Sequence, residues 1–130
     1  MKITHLGSGS RGNSVLLSTG ESNVLVDCGF SLKKIESRLD KLSINPTDID
    51  SIIVTHHHSD HSKSAKRAAK RWGARLISNA ETAKRMQWED REDLLVFSEL
   101  ERIDAGVDIS LLTIPVPVSY THLTLPTICS

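Results

Sequence analysis

The six consecutive positions His56-His57-His58-Ser59-Asp60-His61 hold four of the chain's six histidines and an aspartate. Imidazole nitrogen and carboxylate oxygen are ligands that zinc, manganese and iron accept, and four such groups on one short segment can serve two ions. In an extended loop, residues two apart point the same way, so His56 and His58 can grip one ion while His57 faces elsewhere. Asp60 and His61 can take a second ion at the mouth of the helix expected to follow, and Asp60 is expected to be the catalytic residue as well as a ligand. Two divalent ions a few ångströms apart would hold a bridging hydroxide, lower the pKa of its parent water and stabilise charge on entering and leaving oxygens. Metal-assisted hydrolysis is the economical chemistry for these residues. The bland alternatives are a solvated polar loop or a tag remnant, and a mid-chain segment directly after an apolar run is out of place as a tag.

The elements around the segment are those that could position it. Ile49, Ile52, Ile53 and Val54 form a near-continuous apolar run, the pattern of a strand covered on both faces of a sheet. The histidines leave that strand at its C-terminal end, the edge where ligands collect in open α/β sheets. Four ligands leave two sites under-filled, so others must come from elsewhere in the protein. His5, on the first strand, is one candidate. Asp27 follows Val24-Leu25-Val26 and is suited to orienting the histidine segment from behind, because ligand histidines usually hydrogen-bond to such groups.

Taken in order, residues 2 to 6 read as a strand running into Gly7-Ser8-Gly9-Ser10-Arg11-Gly12-Asn13-Ser14. Glycines 7, 9 and 12 spell the dinucleotide fingerprint, with Asp27 where a ribose-binding acid would stand. That fingerprint needs a helix at its third glycine. The sequence continues instead as Val15-Leu16-Leu17-Ser18-Thr19-Gly20, a short β-prone run, so a strand and hairpin is expected over residues 2 to 27. A dinucleotide-binding domain is thus the weakest functional reading. Ser31 caps an expected helix with Leu32, Ile35, Leu39 and Leu42 on its apolar face, ending before Asn45-Pro46.

After the histidines a helix is expected from Ser62 to Trp72, with Ala65, Ala68, Ala69 and Trp72 inward and Gly73 ending it. Its other face is basic. Between Ser62 and Arg75 there are Lys63, Lys66, Arg67, Lys70, Arg71 and Arg75 and no acid. Such a face could meet substrate phosphates or simply be solvated. Further expectations are a strand at Arg75-Leu76-Ile77, a helix to Gln87 opened by a Ser78/Glu81 capping box, and strands at Leu94 to Phe97 and Val107 to Val116.

The chain has 130 residues, room for at most one domain, with 16 basic and 16 acidic side chains. That balance gives no global pull toward nucleic acid or membrane. The two cysteines, Cys28 and Cys129, form no spacing pattern, no apolar stretch is long enough to span a membrane, and Met1-Lys2-Ile3-Thr4 leads into a strand. A soluble, cytoplasmic protein is expected.

Val54-Thr55-His56-His57-His58-Ser59-Asp60-His61, preceded by Val24-Leu25-Val26-Asp27-Cys28-Gly29, resembles the metallo-β-lactamase fold superfamily. With Gly7 to Ser14 added, the chain is similar to a bacterial branch called YycJ or WalJ, assigned as nuclease or phosphodiesterase-like hydrolases. It resembles ribonuclease Z and the phosphodiesterases of the carbon–phosphorus pathway more distantly. The resemblance covers about residues 1 to 117. It implies an α/β fold, the N-terminal portion of an αββα sandwich, with His56 and His58 on a first metal, Asp60 and His61 on a second, and Asp27 as the buried acid behind them. It implies two divalent ions, zinc or manganese with iron also possible, and a nucleic acid or small phosphodiester substrate. Glyoxalase-type thioester hydrolysis is the rival chemistry, and a metal-binding, catalytically incompetent fragment is the reading from another class.

The family's third histidine should follow the strand that ends at Pro117. Here the sequence runs Val118-Ser119-Tyr120-Thr121-His122-Leu123-Thr124-Leu125-Pro126-Thr127, with no Asp, Glu, Lys or Arg after Asp108. This stretch resembles the translation of a transposon adapter used in DNA library preparation. Residues 1 to 117 are therefore expected to be a truncated domain, and 118 to 130 a non-native tail in which His122 is not the absent ligand.

Overall fold

The computed structural model describes residues 1–7, 13–55, 64–88, 94–97, 102–106, 108–112 and 127–129. The hairpin expected at the start is present. Strands β1 (Lys2–Gly7), β2 (Ser14–Ser18) and β3 (Asn23–Val26) pair antiparallel in turn. A dinucleotide fold would follow its first strand with a helical crossover to a parallel one, whereas β2 pairs antiparallel with β1. Strands β4 (Ser51–Val54), β5 (Arg75–Asn79) and β6 (Leu94–Phe97) then add in parallel, giving one six-stranded sheet in sequence order.

Helix α1 (Leu32–Lys41) begins at Ser31, whose hydroxyl accepts from the Lys34 N–H at 3.3 Å. Such a cap stabilises a helix by about 1 kcal/mol. Ile35 and Leu39 are buried as their spacing requires. Leu42 is not, because it caps the C-terminus just before the chain swings through Ser43 at φ 59°. A short 3₁₀ turn at Pro46–Asp48 leads into β4. Helix α2 (Ala65–Trp72) buries Ala65, Ala68, Ala69 and Trp72 and stops at Gly73, whose φ of 71° suits a residue without a side chain. Glu36 straps the two helices together, accepting from Arg71 Nε at 2.9 Å and Trp72 Nε1 at 3.0 Å.

The capping box expected at Ser78 is not formed. Ser78 belongs to β5, buried, and Asn79 instead caps helix α3 (Ala80–Arg85) by accepting from the Thr82 N–H at 2.7 Å. Glu81 pairs with Arg85 one turn on. The strand expected over 107 to 116 is described only as β8 (Ser110–Leu112). It pairs antiparallel with β7 (Arg102–Asp104), which had no counterpart among the expectations, and with β9 (Thr127–Cys129).

Alternation along the central strands explains the layers. Leu16, Leu25, Ile52, Val54 and Leu76 face one way and pack against Ile35, Leu39, Ala68, Ala69, Trp72 and Ala83 of the helices. Val15, Leu17, Val24, Val26, Ile53 and Ile77 face the other way and pack against Ile103, Ala105 and Ile109 beside the second sheet. The Ser51 hydroxyl reinforces that contact by donating to the Ala105 carbonyl. Helices, large sheet and small sheet are three successive layers, and they account for the both-faces burial of β4.

Candidate metal centre

Asp27 stands directly after β3 and Thr55 directly after β4, at the C-terminal ends of two adjacent parallel strands. Asp27 is fully buried and adopts φ 65°, a conformation uncommon for a residue with a side chain. Several contacts hold it there. Its N–H donates to the Ile53 carbonyl at 2.7 Å, and its own carbonyl accepts from the Ser14 hydroxyl at 2.8 Å. Its carboxylate Oδ1 accepts from the Thr55 N–H at 2.8 Å, and Thr55 Oγ1 lies 2.9 Å from both carboxylate oxygens. Backbone strain that surrounding bonds over-determine is a frequent mark of a functional position.

The residue after Thr55 is His56. The other end of the segment is fixed to the same place: the Ser64 N–H donates to the Cys28 carbonyl at 3.0 Å and its hydroxyl to the Phe30 carbonyl at 2.6 Å. Ser64 precedes α2, yet its side chain makes no bond to that helix, having been taken by Phe30. The stretch from Asp27 to Phe30 therefore grips both flanks of residues 56 to 63. Gly29 N–H donates to the Asn13 carbonyl at 3.1 Å, joining the end of the glycine-rich loop to the same stretch.

His56, His57, His58, Asp60 and His61 lie outside the described residues, as do Gly9, Gly12, His122 and the beginning of the helix expected from Ser62. Among the described residues no group of three or more His, Cys, Asp or Glu side chains could hold a metal. His5 is exposed on β1, the edge strand. Thr55, Ser64 and Ser14 carried no role in the sequence reading. Only their adjacency to the histidines or to the glycine loop hinted at one, since their partners lie 28, 34 and 13 residues away. Cys28, beside Asp27, is buried, and its thiol is pushed up to about 12, first by burial and then by the Asp27 carboxylate. At neutral pH it is an inert packing group.

A family model described as the metallo-beta-lactamase superfamily matches residues 7–127. The chain is 42% identical over 86 residues to the exodeoxyribonuclease WalJ of Streptococcus pneumoniae, a match covering 66% of this chain and 32% of that protein. It is 37% identical over 90 residues to the exodeoxyribonuclease YycJ of Bacillus anthracis, covering 69% and 32%. The chain thus spans about a third of the length of these curated relatives. Among solved structures, a subclass B3 metallo-beta-lactamase of Bradyrhizobium japonicum superposes with a TM-score of 0.73 at 24% identity, over 88% of this chain and 49% of that one. Fold, motif and family model agree, and the chain belongs to the metallo-beta-lactamase superfamily, a family of metal-dependent hydrolases.

Proposed function

We propose that the chain carries the metal-binding part of a phosphodiesterase that acts on nucleic acid. The observation that carries this reading is the double grip on residues 56 to 63. Thr55 is tied to the Asp27 carboxylate and Ser64 to the carbonyls of Cys28 and Phe30. A ligand segment whose two ends are fixed to one rigid stretch loses little entropy when it binds an ion.

The donor set fits divalent metal: three imidazoles and a carboxylate suit zinc, manganese or iron. His56 and His58 would hold one ion, and Asp60 and His61 a second. Bound there, the two ions would supply an acidified water and neutralise charge building on a phosphoryl group. The chain's own residues provide the orientation. Asp27 holds Thr55, just before the segment, and Ser64 is held just after it, where α2 begins.

Substrate choice follows the exodeoxyribonuclease names of the similar proteins. No helix among the described residues is long and apolar enough to cross a membrane; a cytoplasmic location is our reading, supported by the free Cys28, which suits a reducing compartment. We also keep residues 118 to 130 as foreign to the domain. The pairing of β9 with β8 is main-chain bonding, which any extended segment can offer an open sheet edge. Sequencing the gene across codon 117 tests this, and a natural frame running through Val118 to Ser130 refutes it.

The function is tested by loading the chain with zinc or manganese, measuring bound metal, and following hydrolysis of bis-p-nitrophenyl phosphate with and without chelator. Metal uptake with chelator-sensitive turnover is expected. Uptake without turnover, restored by appending the second half of a relative, would identify a binding-only fragment. Preferential cleavage of a glutathione thioester would favour the rival hydrolase, and absence of metal uptake would end the proposal.

A further inference from the structure

The stretch that grips the histidine segment ends at Phe30, and Phe30 has a partner of its own. The guanidinium carbon of Arg38, on α1, lies 4.3 Å from the centroid of the Phe30 ring. Phe30 is buried and Arg38 is half-buried. Both close over the end of β1: a Cβ at Gly7 would run into the Phe30 ring and stand 2.8 Å from Arg38 Nη1. A glycine at position 7 is what allows the stack to form.

The topology says where this stack lies. Strand β1 is antiparallel to β2 and β2 to β3, so β1 runs in the direction of β3, and β4 is parallel to β3. Gly7, Asp27 and Thr55 therefore stand at the same edge of the sheet, and the Phe30–Arg38 stack sits at that edge beside the ends of the histidine segment. With its central carbon over the ring face, the guanidinium is held by the ring while its N–H donors remain available to an anion. Among the described residues, none accepts a hydrogen bond from Arg38, in contrast to Arg71 on Glu36 and Arg85 on Glu81. The structural alternative is a cation packed on a ring near a helix C-terminus, where positive charge is stabilising.

We infer that Arg38, held on Phe30, seats a phosphate of the substrate strand next to the phosphate under attack. The inference rests on the phosphodiesterase reading and adds a substrate-binding residue to it. A planar fork matches two phosphate oxygens at once, and the ring beneath holds the group at this edge before substrate arrives.

The experiment measures binding of the whole chain to fluorescein-labelled oligothymidylate of ten residues by anisotropy, in chelator to prevent cleavage, across a salt series. Each phosphate contact to a single strand contributes about 0.7 to the slope of log affinity against log salt. Arg38→Gln is expected to reduce the slope by about that amount, and Lys33→Gln, the same charge change at an exposed site on the same helix, to leave it unaltered. Equal reductions in both variants, no reduction in Arg38→Gln, or no binding by the unaltered chain at low salt would each overturn the inference. Circular dichroism checks that Arg38→Gln folds. If it does not, Arg38→Lys, which keeps the charge without the fork, is expected to weaken binding with the slope held, and unchanged affinity in it refutes the seat. Failure of metal-dependent hydrolysis would remove the phosphodiesterase reading while leaving the salt slopes to be read separately.

Discussion

The Asp27 carboxylate, fully buried, receives both the main-chain N–H and the hydroxyl of Thr55. The bond to the N–H fixes the backbone at Thr55, one residue before His56. Asp27→Asn retains the shape and tolerates φ 65°, but it exchanges one acceptor oxygen for an N–H₂ facing the Thr55 hydroxyl. Metal affinity is expected to fall about 10- to 100-fold, with a stability loss of about 1–3 kcal/mol. Thr55→Val keeps the main-chain bond and should lose less than Asp27→Asn. Competition titration with a chromophoric chelator checks the order, and equal losses would show that the bond to the hydroxyl, not the charge of the carboxylate, carries the effect.

Ser64 secures the other flank. Ser64→Ala leaves the Phe30 carbonyl without the hydroxyl donor now 2.6 Å away. The expected cost is about 1–3 kcal/mol in urea unfolding, together with weaker metal binding. Ser31→Ala, which removes an ordinary cap from α1, should cost about 1 kcal/mol and leave metal affinity unchanged. A change in metal affinity in the Ser31 variant as large as that in the Ser64 variant would mean that general destabilisation, not the flank, governs the site.

The pattern of these contacts explains what the sequence could convey. β4 was legible because a strand buried on both faces must be apolar at nearly every position, and Ile52-Ile53-Val54 is. α1 and α2 were legible from their helical spacing, Ser31 and Gly73 from cap chemistry. Asp27 was expected to orient the histidine segment because ligand histidines usually hydrogen-bond to such acids, and the structure shows its carboxylate on Thr55. Thr55 and Ser64 could not, since a serine before a helix ordinarily caps it, and only the fold brings Phe30 across 34 residues. β7 escaped because its three residues hold a single buried side chain, Ile103, too little to establish a period. Ser78 and Asn79 are both cap-forming residues in sequence. Pairing of Ser78 with Val96 extends β5 past the first and leaves the second at the helix start. Asn79→Ala should therefore cost about 1 kcal/mol by loss of the Thr82 bond, measured by thermal or urea unfolding.

Cys28 gives the fold an alkaline weakness. Its thiol ordinarily titrates near 9.0 and is pushed up to about 12 in the folded protein by burial and by Asp27. The folded state keeps the proton where the unfolded state releases it, so this contribution to stability is whole below pH 9 and is lost as pH rises from 9 toward 12. Between pH 8 and 10 the unaltered chain should lose about 1 kcal/mol more than Cys28→Ala, whose own loss of packing is independent of pH. Parallel urea midpoints for the two proteins across that range would refute the assignment.

His57 separates the ligand assignment from a general effect of histidine content. If residues 56 to 58 are extended as they leave β4, His56 and His58 project to one side and His57 to the other. His58→Ala should abolish most metal uptake, and His57→Ala should retain it with at most a modest fall in affinity. Asp60→Asn should give an intermediate result, because loss of one charged ligand empties the second site while His56 and His58 still hold the first. Metal stoichiometry by mass spectrometry under native conditions resolves the three variants, with about two ions expected for the unaltered chain, two for His57→Ala and one for Asp60→Asn. Equal losses in His57→Ala and His58→Ala would mean that the segment binds metal as an unstructured histidine cluster, and the grip of Asp27 and Ser64 on its ends would then serve folding alone.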